Sequence, residues 1–286
     1  MRKFIISDIH GDGNVYNSVM GYLDNISKNE EVTLYINGDL IDRGGDSAFM
    51  LLDVINRIRE NRFKIIYLGG NHELMMYQYF SNRREYFRLW YRNGGRVTED
   101  GLYNLLDSDE KLMDVVHFIS NLKIYQKFGE KINGKNIVLV HAACPEKVKD
   151  ECDLTIKDDN SLVSTCVWNR DMALNNNSYF SIIGHSPNNN VFGYCYDKKS
   201  NTFNIDGGCS RYVNGLIGWD HVPLVEVFDK SLKILTFNNN NEIIYGNYFD
   251  GEYSDLISNH ELEKDRSYLN KNIKVKKLVR TDKLIW

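Results

Sequence analysis

The stretch from Val32 to Gly44 reads VTLYINGDLIDRG. Its first part, Val32–Ile36, is an apolar run that predicts a strand. The remainder, Gly38–Gly44, is a polar loop carrying Asp39, Asp42 and Arg43, and a helix-like stretch, Ser47–Arg59, follows. The same order occurs twice more. Phe4–Ile6 runs into Ser-Asp-Ile-His-Gly at Ser7–Gly11, before a helix-like Val15–Ile26. Ile65–Leu68 runs into Gly-Asn-His-Glu at Gly70–Glu73, again before helical sequence. Repeated strand–loop–helix units predict an α/β fold. They place Asp8, His10, Asp39, Asp42, Asn71 and His72 just past strand C-termini, on one edge of a sheet. Ligands collect at that edge in open α/β folds. Hard oxygens and imidazoles gathered there have the chemistry of a metal site. One Asp after one strand is more often a turn or cap residue; three islands in one context carry much more weight.

Two further strand ends add to the set. Val138–His141 is an apolar run ending in His, followed by Ala142 and Ala143. Ile182–Pro187 reads Ile-Ile-Gly-His-Ser-Pro, with His185 at its turn, and Trp168-Asn169-Arg170-Asp171 lies between the two. This ordered set resembles the calcineurin-like metallophosphoesterases. Within them it is similar to the phosphoprotein phosphatases, whose motifs run GDxHG, GDxxDRG, GNHE, a lone His and GH[ST]. The likeness is nearest to the compact phage lambda-type and bacterial serine/threonine phosphatases, which share the Met75-Met76 pair, Asn93–Gly95, Trp-Asn-Arg and Gly-His-[Thr/Ser]-Pro. It covers residues 1 to about 210. Ser7 stands where that family usually has Gly, and Ala142-Ala143 stand where eukaryotic members have Gly-Gly.

The resemblance implies an α/β, layered α+β sandwich of two mixed β-sheets flanked by helices, with two divalent metal ions. Asp39 is then the bridging carboxylate. Asp8 and His10 complete one metal, and Asn71, His141 and His185 complete the other. Manganese is the expected ion, with iron or zinc also suited to mixed nitrogen and oxygen ligands. Such a pair lowers the pKa of a bridging water, so that hydroxide attacks phosphorus in line. His72 is implied as general acid toward the leaving oxygen, with Asp42 orienting it. Arg43 and Arg170 are implied as phosphate clamps, because a planar guanidinium matches two phosphoryl oxygens. Asp206, in Ile-Asp-Gly-Gly, reads as turn geometry near the site, and no ligand role is assigned to it.

The implied activity is hydrolysis of phosphomonoesters, foremost phosphoserine and phosphothreonine in proteins, with phosphopeptides as partners. A symmetrical diadenosine tetraphosphate hydrolase shares the same metal core and is the alternative. Asp42 beside Arg43, and Glu73 after His72, favour the protein phosphatase. A scaffold protein with a decayed site is disfavoured, because every expected ligand is present.

Composition narrows the remaining classes. The 286 residues are 42% hydrophobic with a net charge of −4, so a sizeable core is available and no basic field points to nucleic acid. No apolar stretch approaches the ~18 residues of a membrane span. Met1–Ile6 is too short for a signal peptide, and a cytoplasmic location is expected. The five cysteines show no CxxC spacing and read as reduced, mostly buried thiols.

Three local expectations complete the reading. Phe49, Leu52, Ile55 and Ile58 suggest one buried helical face. Asp107, three residues before Glu110, is a candidate helix cap, inside a helical segment (82–122) expected to wall the cleft. From Tyr179 the texture becomes β. The domain is expected to span residues 1–250, with 251–286 as an extension packed on it that includes an acidic helix-like stretch, Asp255–Asp265, and a basic one, Lys271–Lys283.

Overall fold

The computed structural model describes residues 1–81, 86–171, 178–188, 193–209, 221–238, 242–249, 252–254 and 274–277. Strands β1 (Arg2–Ile6), β2 (Val32–Asn37) and β3 (Lys64–Leu68) form where the apolar runs place them. They are parallel neighbours, joined through helices α1 (Gly13–Ser27) and α2 (Ser47–Glu60). Asp12 caps α1, its side chain accepting from the Asn14 and Val15 N–H groups.

The apolar face of α2 differs from the expected one. Phe49 is 49% exposed, while Met50, Leu51, Val54 and Ile55 are buried. Steps of three fall about 60° short of a turn, so that series has rotated by about half a turn between Phe49 and Ile58. The buried residues follow the mixed three- and four-residue spacing of a true helical stripe.

After β3 the chain is helical: α3 (Asn71–Phe80), α4 (Phe87–Arg92), α5 (Gly95–Leu105) and α6 (Asp109–Ser120). The cap of α6 is Ser108 rather than Asp107. Ser108 is extended, as a cap must be, and accepts from the Lys111 N–H. Asp107 pairs instead with Lys111 Nζ at 2.8 Å.

A second sheet follows, built from β4 (Tyr125–Ile132), β5 (Lys135–Val140), β6 (Phe180–Ile183), β7 (Cys195–Asp197) and β8 (Thr202–Asn204), in the order β4-β5-β6-β8-β7. Helix α7 (Ser161–Trp168) precedes β6. The chain then returns to the first sheet with β9 (Val222–Phe228), β10 (Ser231–Phe237), β11 (Glu242–Phe249) and β12 (Glu252–Ser254), giving the order β12-β11-β10-β9-β1-β2-β3. Strand β13 (Lys274–Lys277) pairs in parallel with β11. Both sheets mix parallel and antiparallel pairs. The expected acidic helix at 255–265 lies outside the described residues, as does most of 271–283.

Strand alternation builds two cores. Ile5, Tyr35, Ile137, Leu139, Ile182, Phe203, Val225 and Ile234 meet between the sheets. Phe4, Ile6, Leu34, Ile36, Val138 and Val140 point the other way and pack with the helices. Strands buried on both faces read as continuous apolar runs, which is why they were visible in the sequence. Among the described residues, no helix is long and apolar enough to cross a membrane.

Candidate metal centre

Five strand C-termini converge. Asp8 and His10 follow β1, and Asp39, Asp42 and Arg43 follow β2. Asn71 and His72 open α3 after β3, His141 directly follows β5, and His185 follows β6. Asp8, His10, Asp39, Asp42, Asn71, His72, His141 and His185 are all buried. Asp8, His10, Asp39, Asp42, Arg43 and His185 have φ between +49° and +73°. Non-glycine residues adopt this region at a cost, and such strain clusters at functional sites. The turns aim the side chains back over the strand ends.

Asp39 sits at the centre and faces two clusters. Its Oδ2 lies 3.5 Å from His10 Nε2 and 3.8 Å from His72 Nε2, while Oδ1 lies 3.3 Å from His141 Nε2. His10, Asp39 and His72 form one group able to hold a cation, and Asp39, His141 and His185 form another. Asn71 Oδ1 joins the second, 3.2 Å from His141 Nε2. Asp8 belongs to neither group. Its carboxylate is turned toward β6, accepting from the His185 N–H at 3.0 and 3.1 Å and from Ser7 Oγ at 2.5 Å.

Backbone carbonyls set the tautomers. His10 Nδ1 donates to Ile41 O at 3.0 Å, and His141 Nδ1 donates to Asn37 O at 2.7 Å. When the rings are neutral, each Nε2 carries a lone pair. His185 is the reverse: Nε2 donates to Trp168 O at 3.1 Å, leaving the lone pair on Nδ1. His141 Nε2 therefore faces two oxygens, Asp39 Oδ1 and Asn71 Oδ1, at bonding range, through a proton in the ion-free protein and through a lone pair once the ring is neutral. Three acceptors converging in a buried place fit a cation, and orientation of ligand imidazoles by carbonyls is the usual outer layer of such a site.

The charge balance agrees. Burial alone would raise the Asp39 carboxyl, but His141, His72 and His10 hold it well below the ordinary range. Asp8 is pushed well above it by burial, then by Asp206 and Asp39. Burial also raises Asp206 to about 6. Asp206 accepts from the Gly208 N–H at 2.9 Å, in keeping with a turn role.

His72 Nδ1 bonds Asp42 Oδ2 at 2.6 Å. Arg43 lies across the first cluster, with Nη1 3.0 Å from His10 Nε2 and Nη2 3.0 Å from His72 Nε2. Arg170 is exposed and anchored through Nη1, to His185 O at 2.8 Å and Ser186 Oγ at 3.1 Å. The sequence reading did not find Trp90 and Thr98, which both bond Asp42, nor the part played by Glu73. Its carboxylate accepts from the Asp39, Leu40 and Gly70 N–H groups. The one sequence signal for the first pair is spacing: Trp90, Gly94 and Thr98 lie four residues apart.

The family model for calcineurin-like phosphoesterases matches residues 1–215. The chain belongs to this family. It is accordingly a metal-dependent enzyme that hydrolyses phosphoesters. No curated protein matches the sequence. Solved structures resemble this chain at low identity. A protein serine/threonine phosphatase from Saccharomyces cerevisiae is 12% identical over 90% of this chain and 82% of its own, with a TM-score of 0.54. One described as a putative diadenosine tetraphosphatase is 15% identical over 83% and 94%, with a TM-score of 0.46. A cold-active protein tyrosine phosphatase is 14% identical over 83% and 76%, with a TM-score of 0.45.

Proposed function

We propose that the chain is a phosphomonoester hydrolase acting on phosphoserine and phosphothreonine in proteins. The observation that carries this reading is the buried His72–Asp42 pair. A serine alkoxide is a strongly basic leaving group and needs a proton as its ester bond breaks. The phosphate leaving group of a dinucleotide polyphosphate is far less basic. Asp42 accepts from Nδ1 and orients the ring, and Nε2 faces the space shared by Asp39 and Arg43. That nitrogen is placed to protonate a leaving oxygen.

Arg43 presents two N–H donors to the same space and is assigned to the phosphoryl oxygens. Arg170 is assigned a second contact to them from the His185 side. His10 and Asp39, joined by Asp8 once its carboxylate turns from the His185 N–H, are the proposed ligands of one cation, and Asp39, Asn71, His141 and His185 those of the other. When bound, the pair supplies an acidified water and offsets charge on the phosphoryl group; manganese is the proposed ion, with iron and zinc the other candidates. A symmetrical bis(5'-nucleosyl)-tetraphosphatase is the competing reading, because the metal core is common to both.

The test compares a phosphoserine peptide, a nitrophenyl phosphate and diadenosine tetraphosphate on metal-loaded protein. The peptide is expected to be cleaved with release of inorganic phosphate. His72→Asn is expected to retain its metals and lose about 10²–10⁴-fold on the peptide, and much less on the nitrophenyl ester. A far higher kcat/KM on the dinucleotide than on any phosphopeptide would replace this reading with the competing one.

A further inference from the structure

We infer that the helical segment between β3 and β4 carries positioning residues for the leaving-group acid: Trp90 and Thr98 hold Asp42, and through it His72, in the orientation that protonates a basic leaving group. The inference rests on the reading of His72 as that acid.

Asp42 is fully buried, and its carboxylate takes donors from three helices. Thr98 Oγ1 on α5 donates to Oδ1 at 2.6 Å, and Trp90 Nε1 on α4 donates to Oδ2 at 2.8 Å. His72 Nδ1 on α3 donates to the same Oδ2 at 2.6 Å. Thr98 Oγ1 also accepts the Asp42 backbone N–H at 3.0 Å. One hydroxyl therefore bonds both the backbone and the side chain of Asp42, which fixes its rotamer. A carboxylate bonded to His72 alone would be free to turn, and the imidazole would turn with it.

The backbone at this point also needs outside support. Asp42 and Arg43 are consecutive residues with φ of +73° and +71°, a conformation that persists only when its surroundings over-determine it. The same helical segment supplies a further restraint, because Gly94 O accepts the Arg43 N–H at 3.2 Å. Gly94 has φ of +97°, and a Cβ there would lie 2.8 Å from Arg43 Cγ and 2.9 Å from Arg43 N. The Asn93–Gly95 island thus has a physical role, since its missing side chain lets the segment close onto the acid-bearing turn. Trp90 and Thr98 bond Asp42 and, among the described residues, make no bond to Asp39, His141 or His185. Their removal should therefore leave the cation ligands in place.

The experiment uses Thr98→Val, Thr98→Ser and Trp90→Phe in the full metal-loaded chain, with His72→Asn as reference. The readouts are metal content and kcat/KM across phosphomonoesters from a phosphoserine peptide to a nitrophenyl phosphate. Thr98→Val and Trp90→Phe are each expected to lose about 10- to 100-fold on the peptide and far less on the nitrophenyl ester, with metals retained. Thr98→Ser, which keeps the hydroxyl, is expected to restore the wild-type profile. If His72→Asn depends on the leaving group while Thr98→Val and Trp90→Phe lose equally on all esters, or lose nothing, the positioning role is overturned and the acid stands. If His72→Asn itself is indifferent to the leaving group, the acid reading falls and this inference with it. Should Thr98→Val fail to fold, Trp90→Phe decides, since it removes the N–H donor while keeping an aromatic ring in the cluster.

Discussion

His141 shows how a buried imidazole is governed by what each nitrogen meets. Nδ1 donates to a carbonyl, so Nε2 alone faces Asp39 and Asn71. Burial disfavours a charged ring, but the Asp39 and Asp8 carboxylates outweigh it and push the pKa up to about 10 from an ordinary 6.5. In the metal-free protein, a proton on Nε2 stands in for a cation. The folded chain then binds more protons than the unfolded chain between pH 6.5 and about 10. That stability is fully present below the lower value and is lost as pH rises through the upper one. His185 acts in the opposite sense, because burial and the His141 charge pull it down to about 3. Its contribution is lost as pH falls from its ordinary value, so it does not affect the alkaline side. Thermal melts of chelated protein are expected to show Tm falling from pH 7 to pH 9.5. His141→Gln should flatten that slope, as should saturating Mn²⁺. A level Tm in the chelated wild-type chain would contradict this account.

Glu73 works at the scale of elements. It lies in the first turn of α3, yet it serves the loops after β2 and β3. Oε2 accepts from the Asp39 and Gly70 N–H groups, both at 2.9 Å, and Oε1 accepts from the Leu40 N–H at 3.1 Å and from Tyr67 Oη at 2.7 Å. Loop amides past a strand end have no ladder partner, and burying them unpaired is costly. A carboxylate can accept all four donors; glutamine would turn its own NH₂ toward N–H groups. Glu73→Gln is expected to cost about 1–3 kcal/mol in stability and to weaken cation binding about 10- to 100-fold, because the Asp39 backbone moves. Chemical denaturation and calorimetric titration with Mn²⁺ measure the two effects, and wild-type affinity in the variant would remove Glu73 from the site. At this scale the sequence was most readable where one apolar run made one strand. It misled at Phe49, where a three-residue series drifts off the buried face, and at Asp107, where the neighbouring Ser108 has the extended backbone that a cap needs.

Across the molecule, the candidate cation ligands tie together two sheets. His10, Asp39 and Asn71 follow strands of the first, while His141 and His185 follow strands of the second. The apolar layer between the sheets sets their spacing, and only the folded chain offers the complete site. A ligand held this way stabilises by mass action, about 4 kcal/mol at a thousandfold excess over Kd. Chelation is therefore expected to lower Tm. Mn²⁺ should restore it better than Ca²⁺, which prefers all-oxygen sites of higher coordination number. Scanning calorimetry reads both, and a Tm indifferent to chelator would show that no stabilising ion is held.

Where strands end, and which chemical group stands at each end, can be read from the chain alone. Those are local properties: an apolar run stops, a turn residue follows, and Asp8, Asp39, Asn71, His141 and His185 come next in line. Chain order made the five islands legible as one site. What reaches between distant segments was settled in the folded molecule. Folding returned β9 to pair with β1, bonded Asp8 to the His185 backbone, and brought Thr98 to Asp42 across 56 residues. Periodicity records how a segment faces its own sheet or helix stripe. A hydrogen bond between remote segments depends on how both sheets and the helical segment close together, and no local pattern carries that information.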